Sequence, residues 1–180
     1  MNESKISVRY AKALFQHALE LGKLEEIKKD IELVYKTSTE VPELNMFLLS
    51  PITKVSEKNQ LAQNTFGKFV SKETLAFLSL MIKNRRESHI VDATRNFLHL
   101  YKKHSRIKSV ELISAQTITP DFKASIIATI QSTMNTKIEL TEKIDKSILG
   151  GYILRIEDQQ YDASVSNKLK QMKKSLLESK

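Results

Sequence analysis

The chain contains no cysteine in 180 residues. That excludes a disulfide scaffold, thiolate catalysis and cysteine-ligated zinc or iron–sulfur centres. Long apolar runs are missing too. The densest, LAFLSLMI at 75–82, falls far short of the roughly 20 residues a membrane span needs. The opening MNESKISVRYAKALF shows no apolar segment with a small-residue cleavage site, so a soluble, unexported protein is expected. Glycine is scarce, at four. A phosphate-cradling loop needs several, and the one adjacent pair, Gly150-Gly151, lacks the flanking spacing and Lys-Ser/Thr. No HExxH motif occurs. His17, His89, His99 and His104 have no cluster of acidic neighbours, and on a helix His99 and His104 would stand roughly 140° apart. These absences lead us to expect no metal, no cofactor and no catalytic residue.

What is present is charge and periodicity. The net charge is +8, spread along the chain rather than gathered in a tail. Such a balance permits nucleic acid, an anionic membrane or an acidic protein as partner and selects none. From 5 to about 104 the apolar spacing is helical. Ile6, Tyr10, Leu14 and Leu21 form one stripe, and Leu24, Ile27, Ile31 and Val34 another. Pro42 and Pro51 bracket a short apolar segment. Val55, Leu61, Phe66 and Phe69 suggest a further helix. Ser71 is a fitting N-cap for the next, which runs to about Asn84. Ile90, Val91, Thr94, Phe97, Leu98 and Tyr101 mark the last of five or six helices.

After KKHSRIK at 102–108 the period changes. SVELISA, KIELTEKI and YILRI read as strands. Between the first two, Thr119-Pro120-Asp121 starts a helix carrying Phe122, Ile126, Ile127, Ile130 and Met134. A final helix carries Val165, Leu169, Met172 and Leu176. The chain is therefore expected to be mainly α: an N-terminal five- or six-helix bundle at 1–104, then a small α+β domain at 105–180. Asp162 and Ser164 read as a helix cap rather than as members of a catalytic triad. Gly150 and Gly151 read as a structural corner that lets the chain bend tightly into the Tyr152–Ile156 strand. Lys170, Lys173 and Lys174 fall opposite the last apolar stripe, as on a solvated face. No aromatic is interleaved with them, so single-strand stacking is unsupported.

The first helix stands out. At 100° per residue its apolar positions spread over roughly 220°, about twice the stripe a surface helix needs. Either it is enclosed by its own bundle, or part of the face stays open as a groove for an amphipathic helix. LAFLSLMI is similarly over-apolar and could form the other wall.

Three stretches, VRYAKALFQHAL at 8–19, LMIKNRRESHI at 80–90 and LGGYILRIEDQQYDASVSNKL at 149–169, resemble in order and spacing the delta subunit of bacterial F-type ATP synthases, the counterpart of the mitochondrial oligomycin-sensitivity-conferral protein. Asn84, Arg86, Gly150, Gly151, Asp162, Ser164 and Leu169 match the family's motifs. The chain departs from them at Arg85, where the family usually has glycine, and at Ala163 and Glu157-Asp158, where it often has glycine. The resemblance implies a non-catalytic stator component at the cytoplasmic face of the bacterial inner membrane, membrane-associated only through the complex. It implies that the helical domain takes the N-terminal helix of an alpha subunit in a groove between its first and fifth helices, near Tyr10, Leu14, Leu78, Met81, Ile82 and Arg86. It implies that the C-terminal domain engages the C-terminal end of the stalk b subunits, with no nucleic acid as partner. The competing reading is an RNA-binding antitermination factor of the NusB type, also a small basic helical bundle. The alternating C-terminal segments discriminate, because an all-helical RNA binder would lack them.

Overall fold

A computed structural model describes residues 4–134, 136–156 and 159–178, without the side chains of 133, 134 and 176–178. The expected turn at Glu157-Asp158 and the side chains of Met134 and Leu176 lie outside the described residues. The chain divides into two compact units, Met1–Lys102 and Lys103–Lys180.

The first unit is a bundle of six helices: α1 Lys5–Glu20, α2 Leu24–Glu40, α3 Pro42–Leu49, α4 Val55–Phe66, α5 Lys72–Lys83 and α6 Ile90–His104. Pro42 stands in the first turn of α3, where its missing N–H has no intrahelical partner to lose. The core gathers Ile27, Ile31 and Val34 of α2, Ala62 and Phe66 of α4, Leu78, Met81 and Ile82 of α5, and Phe97 of α6. Two expectations shift. Phe69 lies beyond the end of α4 and is 70% exposed. Leu21 is also exposed, because α1 buries Ser7, Ala11, Leu14 and Ala18. The buried seam thus runs through small residues, one position away from the larger apolar stripe. Small side chains let neighbouring backbones come close, and Asn96 Nδ2 seals the seam by donating to Ser7 Oγ at 3.2 Å. A buried pair, Lys58 Nζ to Glu87 Oε1 at 2.9 Å, ties α4 to the short 3-10 turn Glu87–His89 before α6.

The second unit is a four-stranded sheet with two helices: β1 Ile107–Ser114, α7 Pro120–Met134, β2 Lys137–Ile144, β3 Tyr152–Ile156, β4 Gln159–Asp162 and α8 Val165–Glu178. Strand order is β2-β1-β3-β4. β1 and β2 run parallel with α7 as the crossover such a pair requires, and β1–β3 and β3–β4 are antiparallel. Val110, Leu112 and Leu154 of the sheet face Ile126 and Ile130 of α7 in one core. On the other face of the β1–β3 pair, Arg155 is in register with Glu111 and donates to it at 3.3 Å. The fourth strand, QQYD, was not expected. It is four residues long, polar, and carries no alternating apolar signal. The sheet itself removes the all-helical alternative.

The glycine pair turns the chain into β3. Gly150 has φ 152° and Gly151 φ 82°. A Cβ on Gly151 would stand 2.4 Å from the Ala163 carbonyl oxygen and 3.0 Å from Ser164 Cα. Both constraints demand glycine: left-handed backbone and a close approach to the start of α8. There Asp162 Oδ1 accepts from Ser164 N at 2.9 Å, and Ser164 Oγ accepts from Asn167 N at 3.2 Å, capping the helix. Ala163 has no positive φ. The hydrogen bonds from Ser164 hold the Asp162 carboxyl below the ordinary carboxylate range.

Gly151→Ala is expected to destabilise this unit by about 2 kcal/mol or more. Gly22→Ala, at φ 65° with nothing near its Cβ, should cost only the backbone strain; thermal unfolding compares the two. Because the folded Asp162 pKa is depressed, its contribution is present above the ordinary carboxylate range and lost as pH falls through the folded value. Asp162→Ala should therefore lower the Tm at neutral pH, and the gap to wild type should close in acid.

Candidate docking groove

The face of α1 that does not enter the core meets α5 along an open depression of about 450 Å³. Its lining is Tyr10, Ala13, Leu14 and His17 from α1, with Lys72, Glu73, Ala76, Phe77 and Leu80 from α5. Leu14 and Phe77 are buried and form the floor, while Leu80 stands 50% exposed on the wall. Alanines at 13 and 76 leave the space that larger side chains would fill. Tyr10 packs edge-on against Phe77 with ring centroids 6.5 Å apart, and its hydroxyl accepts from Asn84 Nδ2 at 3.0 Å.

Position within α5 decides what the wall presents, and Asp30 of α2 sets that position. Its Oδ2 accepts from Ser71 N at 2.8 Å, Ser71 Oγ at 2.5 Å and Thr74 Oγ1 at 2.9 Å. One carboxylate therefore gathers three donors at the first turn of α5, where backbone amides lack intrahelical acceptors. Ser71 Oγ in turn accepts from Thr74 N, completing the cap read from the sequence. Beside this clamp, Lys23 Nζ donates to Glu73 Oε1 at 2.8 Å, which raises the lysine pKa and lowers that of the carboxylate.

The other end of α5 closes in a Schellman turn: Arg85 N donates to Ile82 O and Arg86 N to Met81 O. Arg85 has φ 55°, the left-handed position where glycine is the usual residue. The local geometry expected of a glycine is kept although arginine occupies the site. The turn carries Arg86 to a second depression of about 540 Å³, lined by Ile6, Arg9, Tyr10, Ala13, Leu80, Asn84 and Arg86.

Of the residues expected at the groove, Tyr10, Leu14 and Arg86 line these depressions. Leu78, Met81 and Ile82 do not. They are at most 2% exposed and belong to the bundle core. The α5 wall consists instead of Ala76, Phe77 and Leu80. In LAFLSLMI every helical phase is apolar, so periodicity alone does not say which face turns inward. Small size does not discriminate either: Ala13 and Ala76 line the groove, while Ala11 and Ala18 on the same helix as Ala13 are buried. Gly150, Gly151, Asp162 and Ser164 lie together at the α8 corner of the second unit, and among the described residues no histidine is a hydrogen-bond partner of theirs.

The chain is thus a helical bundle with an open apolar groove, followed by a small α+β unit. The chain belongs to the ATP synthase delta (OSCP) subunit family, whose model matches residues 6–176. It is 34% identical to the ATP synthase subunit delta of Cytophaga hutchinsonii, over 99% of this chain and 97% of that one. It is 30% identical to that of Brevibacillus brevis, over 92% and 95%. Among solved structures, its fold is similar to a chain of the Toxoplasma gondii mitochondrial ATP synthase hexamer, with TM-score 0.75, 21% identity, and coverage of 97% and 98%.

Asp30→Ala should cost about 2–3 kcal/mol, because it strands the Ser71 and Thr74 donors at a buried site; denaturant unfolding measures it. Arg85→Gly should stabilise by up to about 1 kcal/mol, since relief of left-handed strain exceeds the entropy glycine adds to the unfolded chain.

Proposed function

We propose that this delta-family subunit is a non-catalytic stator component, joining the catalytic head of an F-type ATP synthase to its peripheral stalk so that proton-driven rotation is coupled to ATP synthesis. The helical unit receives the N-terminal helix of an alpha subunit in the α1–α5 groove. The second unit engages the C-terminal end of the b subunits. The protein sits peripherally at the cytoplasmic face of the membrane, held there by the complex. In keeping with this, no helix among the described residues is long and apolar enough to cross a membrane.

The observation that carries the reading is the groove. Soluble proteins rarely leave contiguous apolar surface open without a partner to cover it. An amphipathic helix fits such a trough with residues at three- and four-residue spacing. On α8, Val165, Leu169 and Met172 are 43%, 57% and 61% exposed and recur at the same spacing. They offer the second unit a stripe suited to the helical end of a stalk subunit.

Calorimetric titration of the full chain with a synthetic peptide of the alpha subunit's N-terminal helix should give saturable 1:1 binding with negative ΔCp. Leu80→Asp should abolish it, while Met81→Asp should unfold the bundle rather than act on binding alone, as circular dichroism will distinguish. Absence of binding, with salt-sensitive binding to structured RNA instead, would sink the stator reading.

A further inference from the structure

We propose that the α1–α5 groove has a direction: its Arg9–Arg86 end takes a carboxylate of the docked helix, so that the helix enters with its acidic end over the two guanidinium groups. The inference rests on the helix-in-groove reading above and adds the chemistry and orientation of the occupant.

The apolar and polar depressions share Tyr10, Ala13 and Leu80, so they form one trough. α1 and α5 run along it in opposite senses: His17 lies at the end of Lys72 and Glu73, and Ile6 and Arg9 lie at the end of Asn84 and Arg86. The twelve residues from Ile6 to His17 span eleven steps, roughly 16 Å at 1.5 Å per residue, about three turns of a docked helix. Apolar contact is non-directional. A stripe of leucines could lie in this trough either way, so something else must choose.

Charge makes the choice. Arg9 and Arg86 are both exposed, and among the described residues neither has a carboxylate within ion-pair distance. Lys5 and Lys12 join Arg9 along the adjoining surface of α1, which extends the positive field. The opposite end carries both signs, since Glu73 is held by Lys23 beside Lys72. The backbone that carries Arg86 is also placed in advance. Its amide is fixed to Met81 O at 2.9 Å, and Asn84 beside it is held by the Tyr10 hydroxyl. A guanidinium fork suits a planar carboxylate, and a charge at the rim of an apolar contact sets register and rejects the reversed arrangement.

The test titrates the full chain with the alpha-subunit N-terminal helix peptide and two variants, in which the charged residues of its first or of its last turn are replaced by lysine. Substitution at one end should weaken binding about tenfold at low salt, and substitution at the other should leave it unchanged. Arg9→Glu/Arg86→Glu should restore tight binding of the weakened peptide. Arg9→Gln/Arg86→Gln should lose affinity for the unmodified peptide, with the loss fading at about 0.5 M salt. Equal effects at both ends, or an Arg9→Gln/Arg86→Gln protein that binds like wild type at low salt, overturn the direction while leaving the groove standing, provided Leu80→Asp abolishes binding. Failure of the unmodified peptide to bind wild type removes the groove reading and this inference with it.

Discussion

The bond between Asp30 and the first turn of α5 is the constraint on which the candidate site depends. A helix that is apolar on every side, as LAFLSLMI is, has no strong preference of its own about which residues face inward. Three donors converging on one carboxylate from the neighbouring α2 anchor its first turn. With that end fixed, Leu78, Met81 and Ile82 enter the core, and Ala76, Phe77 and Leu80 are left to face α1. At the far end Asn84 Nδ2 donates to the Tyr10 hydroxyl, which ties α5 to α1. The groove wall is therefore held at both ends by polar contacts, while its surface remains apolar.

The broad outline was legible in the sequence because it rests on period and punctuation. A helical period up to about residue 104, strand alternation after it, Pro42 and Pro120 at helix starts and Ser71 as a cap each carry a local physical signal. What was not legible depends on contacts far apart in sequence. The inward face of α1 runs through Ser7, Ala11 and Ala18, which no hydrophobicity pattern would rank above Tyr10 or Leu21. They are buried because a small residue permits close helix approach, a property of the pair of helices. The phase of α5 was hidden for the reason given above. β4 escaped notice because its backbone pairing with β3, not its side chains, makes it a strand.

The second unit shows the converse case, in which sequence chemistry points straight to geometry. Gly150, Gly151, Asp162 and Ser164 are separated by about ten residues, yet they meet where β3 begins and α8 starts. The Gly150 carbonyl accepts from Val165 N, and Ala163 N donates to the Tyr152 carbonyl. The motif that could be mistaken for chemistry is a corner in which two chain segments pass within van der Waals distance. Arg85 carries a related lesson: a left-handed residue persists without glycine where the surrounding hydrogen bonds over-determine the turn.

The strand order β2-β1-β3-β4 leaves β2 and β4 each with one unpaired side. An open strand edge is an invitation to a second chain, and eight residues is long enough to be a hazard. β2 meets it with Lys137, Glu139, Glu142 and Lys143, all exposed, and Lys123 of α7 reaches Glu142. β4 meets it by being only four residues long. A chain with apolar surface showing is thus guarded against the other route to clumping, in which one sheet extends into the next.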